Sequence, residues 1–457
     1  MQRATKLSVL SLLNVLFVTA ALAQDSALLE KARAGDMNSV IRLARAYESG
    51  DGARQDELEA ARWYRRAADL GDAWSQTKLA ELYSQGRGVQ QDEGEAAKWL
   101  MRAATSGYAP AQLNLGLKYL HGTGVGASDD SAAHWIREAA EKGISAAQAD
   151  LGYLYLTGRG VPRNFQQAQE WSLKAAKHGD AVAELNLGSM AELQLKDMKA
   201  AESWYRKSAA AGNVDAEYRL ALLLARRSNP PSEESVSWFR KAAEHRQPLA
   251  AFSLGLLYQQ GRRVRQDYSE AMRWYKQSAG EGSAEGQLNL GMMYEKGQGV
   301  PQDLGAALAW YLRAAEQHFA VAEWNAAVAY EQGAGTNPDM AQARYWYSRA
   351  AADGEITAEN SLARCWYMGL GGPQSREKAI ELFTHAAQAG DANAATNLAR
   401  VLSDSKSSAE EQVAAQKWSA IAKQRYARLD TAAGSLAQEA VPEQAVEHAR
   451  IGNQAEH

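Results

Sequence analysis

Cysteine is nearly missing from this chain: Cys365 is the single one in 457 residues, so no intrachain disulfide is possible and stability must come from packing. Charge of one sign is missing too. The 50 Lys and Arg against 54 Asp and Glu give a formal charge of −4, which argues against a nucleic-acid partner. The serine-hydrolase elbow Gly-x-Ser-x-Gly, the zinc pattern His-Glu-x-x-His and the phosphate loop ending Gly-Lys-Ser/Thr are absent. Neither catalytic residues nor a cofactor or metal is therefore expected. After residue 23, no apolar run approaches the ~20 residues of a membrane span.

One shorter apolar run does occur. Arg3 and Lys6 precede residues 7–23, which close on Ala21-Leu22-Ala23, the small-x-small pattern of a cleaved signal peptide. A mature chain beginning at Gln24 loses two basic residues, leaving 48 against 54 and a charge of −6. Because position 24 is Gln and not Cys, no lipid anchor is expected. The expectation is a periplasmic or secreted protein, neither membrane-spanning nor lipid-anchored, and monomeric in isolation.

What the chain has in abundance is period. Tryptophan recurs at Trp63, Trp99, Trp135, Trp171, Trp204, Trp238, Trp274, Trp310 and Trp346, followed by Leu382 and Trp418. The step is 36 residues, shortened to 33 before Trp204 and to 34 before Trp238. A fixed period of this length means copies of one supersecondary unit that bury their apolar faces by stacking.

Two columns of small residues run through the copies. Ser75, Ala111, Ala147, Ala183 and Ala322 represent one, four residues before the first Leu position; Ala96, Ala132, Ala168 and Ala307 represent the other, three before the Trp position. Such columns let two helices approach closely while Leu, Tyr and Trp fill the spaces between them, so each repeat reads as a helical hairpin. Gly-x-Gly-Val at Gly86–Val89, Gly122–Val125, Gly158–Val161 and Gly297–Val300 ends the first helix. Asp56, Asp92, Asn164, Asp267, Asp303 or Asp339 then opens the second, usually with Glu or Gln three places on, as in a capping box. One carboxylate per loop is far short of the six or more oxygens of a calcium site. His178, His245, His318 and His385 lie near second-helix ends, where the helix dipole favours them. Cys365 aligns with Leu82, Leu154, Met190 and Met293 and reads as a buried thiol.

The second helix closes on Ala-Ala-x-x-Gly, as in Ala67–Gly71 and Ala103–Gly107. With the small columns, Leu-Gly, Gly-x-Gly-Val and Trp-Tyr, this resembles the Sel-1-like repeat family, relatives of the tetratricopeptide repeats. The resemblance implies an all-α fold, a right-handed α-solenoid or superhelix of helix-turn-helix repeats. It implies an adaptor role with a protein or peptide partner. On this reading a capping segment at 24–35 precedes ten repeats at 36–390: four regular (36–179), two shortened (180–246) and four regular (247–390). A partial repeat (391–426) and a cap or tail (427–457) follow. Shortened turns change per-repeat rotation, so a change of curvature is expected near 190–235.

In the tetratricopeptide relatives, the first-helix face lines a groove. The resemblance implies Asn114, Asp150, Asn186, Arg219, Asn289 and Asn325 as candidate groove residues, the alternative being that each Asn bonds a neighbouring helix. Two places after the repeated Leu stand, among others, Leu117, Tyr153, Leu222, Leu256, Met292 and Val328, which are either an apolar groove strip or core. Trp74 and Trp324 lie outside the Trp column and would be natural anchors if exposed. Two further readings are an envelope enzyme acting on penicillin-type compounds and a scaffold for exported polysaccharide. The first is prompted by cysteine-rich cousins that carry two cysteines per repeat, against one in this whole chain.

Overall fold

Each period folds into two helices, called here A and B, as in Ala109–His121 followed by Asp129–Glu141. The computed structural model describes residues 27–404 and 407–435, with side chains to 428. Every secondary-structure element among them is a helix, from residues 27–33 to Ala409–Ser435. The fold is the all-α solenoid of paired helices expected from the period. The expected signal peptide at 1–23 and the end of the expected tail lie outside the described residues.

The local signals work as read, with one correction. Helix A ends on a left-handed glycine such as Gly86, and the Asp92 carboxylate caps helix B by accepting from the Glu95 amide at 2.9 Å. Such a cap is worth about 1 kcal/mol. The reciprocal half of the capping box is not made. The Asp92 amide donates instead to the Tyr83 carbonyl at 3.0 Å, and Asp56, Asp303 and Asp339 donate in the same way to Tyr47, Tyr294 and Tyr330. This satisfies an orphan donor of helix B with an orphan carbonyl at the end of helix A and fixes the hairpin. The freed acids pair along their own helix, Glu95 with Lys98 at 2.7 Å and Glu270 with Arg273 at 2.8 Å.

Both small columns are buried: Ala111, Ala147, Ala132 and Ala168 expose nothing. The glycine of Leu-Gly has a specific reason. A Cβ on Gly291 would lie 2.6 Å from the Tyr311 ring, so helix B's tyrosine lies directly on helix A's backbone. The Tyr311 hydroxyl then donates to Glu295 at 2.6 Å, and Tyr64 and Tyr347 reach Glu48 and Glu331 in the same manner. Burial and the adjoining carboxylate push the Tyr311 hydroxyl far above its ordinary range.

Successive repeats meet through the turn. Gly88, the second glycine of its turn, has φ +66°, and a Cβ there would sit 1.9 Å from the Glu57 carbonyl oxygen of the preceding helix B. The turn glycine therefore serves backbone contact between repeats as well as chain reversal.

The described residues form two compact units, one through Ala211 and one from Gly212 onward. In the first, Leu28 and Leu29 pack against the cluster of Val40, Leu43 and Ala67. The shortened turns lack the left-handed glycine: helix Ala181–Leu193 ends at Gln194 with φ −98°, and helix Val214–Ala225 of the second unit ends at Arg226 with φ −70°.

Candidate functional site

The candidate partner face is built from successive A helices, and its polar column behaves according to a local rule. The Asn289 amide donates to the Glu285 carbonyl at 2.9 Å and the Asn325 amide to Val321 at 2.8 Å. Ser253 and Ser361 do the same with the carbonyl one turn back. These side chains bond their own helix, as short polar groups in helix interiors do. Asn186 is different: it is buried and its amide reaches the Ala149 carbonyl of the preceding A helix at 3.4 Å. The helix-bonding alternative thus describes Asn186. Asn114 is exposed, while Asp150, Arg219, Asn289 and Asn325 are half-buried.

Asp150 is electrostatically unusual. Burial, and then the neighbouring Asp180 carboxylate, push its carboxyl up to about 6.

Leu222 is core, and the rest of the apolar column is neither core nor free surface. Tyr153, Leu256, Met292 and Val328 are half-buried, and Met292 and Val328 lean on the cluster around Leu308 and Tyr311. Asn325 and Val328 line one small cleft with Glu295, Tyr311 and Gln332. Neither Trp74 nor Trp324 is an open anchor. Arg45 lies over the Trp74 ring at 4.3 Å and Tyr64 meets the same ring edge-on at 5.7 Å. Trp324 is half-buried against the Tyr347 cluster.

The regular Trp column carries a feature that sequence reasoning passed over. A cation three residues on covers the ring in several repeats, as with Arg102 over Trp99 at 4.4 Å, Lys174 over Trp171 at 3.6 Å and Arg313 over Trp310 at 4.4 Å. Each such stack is worth about 0.5–1 kcal/mol when exposed.

A polar column next to the first small column was missed as well: Gln76, Gln112, Gln148, Glu217, Gln287, Glu323 and Glu359, all buried. The glutamines donate to the end of the preceding helix B, Gln76 to Ala68 at 3.0 Å and Gln148 to Ala140 at 3.1 Å. The carboxylates instead gather cations. Glu217 has Lys241 and His245 each at 2.9 Å, Glu359 has His385 at 2.7 Å, and Glu323 has Arg349 at 2.8 Å. His245, His318 and His385, assigned from sequence to the helix dipole, are therefore held by carboxylates. The Glu359 partner raises His385 above its usual value, and burial raises Glu323 to about 7 against the lowering effect of Arg349.

Cys365 is fully buried, with burial raising its thiol, as an inert core residue. Of three Ser-x-x-Lys stretches, a nucleophile spacing, the one from Ser403 ends at Lys406, outside the described residues, and those from Ser75 and Ser375 are structural. Ser75 is a fully buried member of the small column with Lys78 paired to Glu81 at 2.8 Å, and Ser375 caps helix Arg376–Gln388.

The Sel1 repeat model matches ten consecutive segments: 39–72, 75–108, 109–144, 145–180, 181–213, 214–246, 248–283, 284–319, 320–355 and 356–391. The chain belongs to the Sel1 repeat family. Among solved structures it is similar to c5321, a protective antigen of uropathogenic Escherichia coli displaying an SLR fold. The two are 29% identical with a TM-score of 0.51, over 89% of this chain and 97% of that one. It is also similar to a Sel1 repeat protein from Oxalobacter formigenes, at 28% identity and a TM-score of 0.40, over 78% of this chain and 93% of that one. No curated protein matches it. Sel1 repeats form a non-enzymatic scaffold of the kind typical of protein–protein interaction, and no described helix is long and apolar enough to cross a membrane.

Proposed function

We propose that this protein is an exported, non-enzymatic adaptor that holds a protein or peptide along the A-helix face of its Sel1 repeats. The observation that carries the reading is the repeated half-buried strip, Tyr153 in one unit and Met292 and Val328 in the other, flanked by Asn114, Asp150, Asn289 and Asn325. Partly exposed apolar groups bordered by polar ones suit a segment that contributes both side chains and backbone groups. The net negative charge disfavours nucleic acid. Export rests on the leader-like residues 1–23 and fits the protective-antigen description of the similar E. coli protein.

The test is capture of envelope and secreted proteins on the immobilised protein, read by mass spectrometry, beside the double variant Asn289→Ala, Asn325→Ala. The variant loses only bonds to its own helix, so its helical signal stays unchanged. Weakened capture supports the A-helix face; undiminished capture moves the site elsewhere.

A further inference from the structure

In eight of the ten repeats helix B is followed by a glycine in a left-handed conformation, at Gly71, Gly107, Gly143, Gly179, Gly212, Gly282, Gly354 and Gly390. At the end of repeat eight that place is taken by His318, with φ +59°. A β-carbon residue there is strained, and strain of this kind directs attention to what the side chain does.

The imidazole faces two carboxylates. His318 Nδ1 lies 3.1 Å from Asp353 Oδ2, and a nitrogen of His318 and an oxygen each of Glu323 and Asp353 all fall within 4.8 Å of one another. Among the described residues this is the single place where three such groups converge. The three come from different elements: the turn after helix B of repeat eight, the first turn of helix A of repeat nine, and the end of helix B of repeat nine. Glu323 exposes none of its surface, and its Oε2 accepts no hydrogen bond. A buried carboxylate oxygen without a donor is costly unless something positive meets it. His318 and Asp353 are by contrast open to solvent on one side, which leaves an entry path.

We propose that His318, Glu323 and Asp353 bind a divalent transition-metal ion of the zinc class, stapling repeat eight to repeat nine. One imidazole with two carboxylates is a borderline donor set. It suits Zn²⁺, with water in the remaining position, and is poor for Ca²⁺ or Mg²⁺, which want six or more oxygens or several retained waters. Bonds of about 2.0–2.2 Å put ligand atoms about 3.4 Å apart, so the three groups, now within 4.8 Å of one another, draw together on binding. The Arg349 guanidinium, 2.8 Å from Glu323 Oε1 and 3.3 Å from His318 Nδ1, is the competing cation and must leave both for the metal to enter. On metal entry it keeps the Ala315 carbonyl at 3.2 Å and the face of Trp346 at 5.0 Å while releasing Glu323.

The experiment is calorimetric titration of the purified protein with ZnCl₂ at pH 7.5, with thermal unfolding in zinc, in EDTA and in MgCl₂. The key variant is His318→Gly. It installs the residue that eight other repeats carry at this turn, so it folds at least as well without metal. The expected result is one zinc per chain, a melting temperature raised by zinc and restored by EDTA, and no response to magnesium. Affinity falls in His318→Gly by more than about 100-fold, beyond the loss typical of removing a ligand's supporting partner. Arg349→Gln binds zinc more tightly than the wild type. No zinc uptake by the wild type, uptake undiminished in His318→Gly, or weaker uptake in Arg349→Gln would each overturn the site.

Discussion

Repeats three and nine fill one buried slot in two ways. In repeat three Gln112 donates to the Ala104 carbonyl at 3.2 Å and accepts from Lys142 at 3.1 Å, closing the end of the preceding helix B with a single neutral side chain. In repeat nine the slot holds Glu323, which cannot donate. Arg349 therefore takes over both tasks, giving one N–H to Ala315, the equivalent carbonyl, and facing the carboxylate. Glu217 and Glu359 share only the ion-pair half of this pattern, with Lys241 and His245, and with His385. In repeats three and nine the slot thus adds a side-chain donor to a carbonyl that the turn amide already meets, and the residue that supplies it differs. A neutral slot is self-sufficient, whereas an ionised slot depends on a second residue and on pH.

That contrast breaks most visibly at Glu217. Replacing both Lys241 and His245, by Met and Ala, leaves a fully buried carboxylate without its cations. We expect a loss of about 3–5 kcal/mol in urea unfolding, as for other buried pairs cut on one side. If Glu217→Gln is added to that variant, most of the loss returns. The neutral slot is cheaper to damage: Gln112→Leu removes the second donor of the Ala104 carbonyl, which keeps the Gly107 amide at 2.9 Å, for about 0.5–1.5 kcal/mol.

The smaller effects are pH effects, with opposite presence in the two kinds of slot. His385 is raised by Glu359, so the contribution of this pair is complete below about pH 6.5 and is lost as pH rises through the higher folded value. Melting curves between pH 5.5 and 9 therefore show a decline that Glu359→Gln removes and that Gln112→Leu leaves in place. Asp150 sharpens the point from the proposed partner face. With its carboxyl raised to about 6, the folded state holds the proton more tightly, and stability falls as pH climbs from about 3.8 to 6. Asp150→Asn should consequently raise the melting temperature at pH 7.5 and leave it unchanged at pH 3.5. A gain of equal size at both values would refute the desolvation account.

Much of this was legible beforehand because each signal was both local and repeated. The buried Ala columns, the Gly-x-Gly-Val turns and the Asp caps depend on one hairpin's own backbone and recur every 36 residues. What escaped depends on a second chain segment. The amide of Asp92 was assigned to Glu95 because both are near in sequence, whereas its true acceptor, Tyr83, ends the other helix. The Gln and Glu slot was available as a column, yet a polar residue beside an alanine on an amphipathic helix gives no sign of being buried until the preceding repeat is stacked on it. The second turn glycine was read for its φ alone, while its contact with Glu57 belongs to the repeat before. Side-chain direction was the least legible. Asn186 and Asn289 share a column, but one amide crosses to a neighbouring helix and the other folds back on its own.

The central claim is that partners meet the A-helix face. Its most direct test places a photo-crosslinking phenylalanine analogue singly at Tyr153 or Asn325, and in parallel at Leu58 or Leu70 of a B helix and its end, both about half exposed. Irradiation in envelope and secreted extract is predicted to give discrete protein adducts from Tyr153 and Asn325 and none from Leu58 or Leu70. Adducts confined to Leu58 and Leu70 would contradict it.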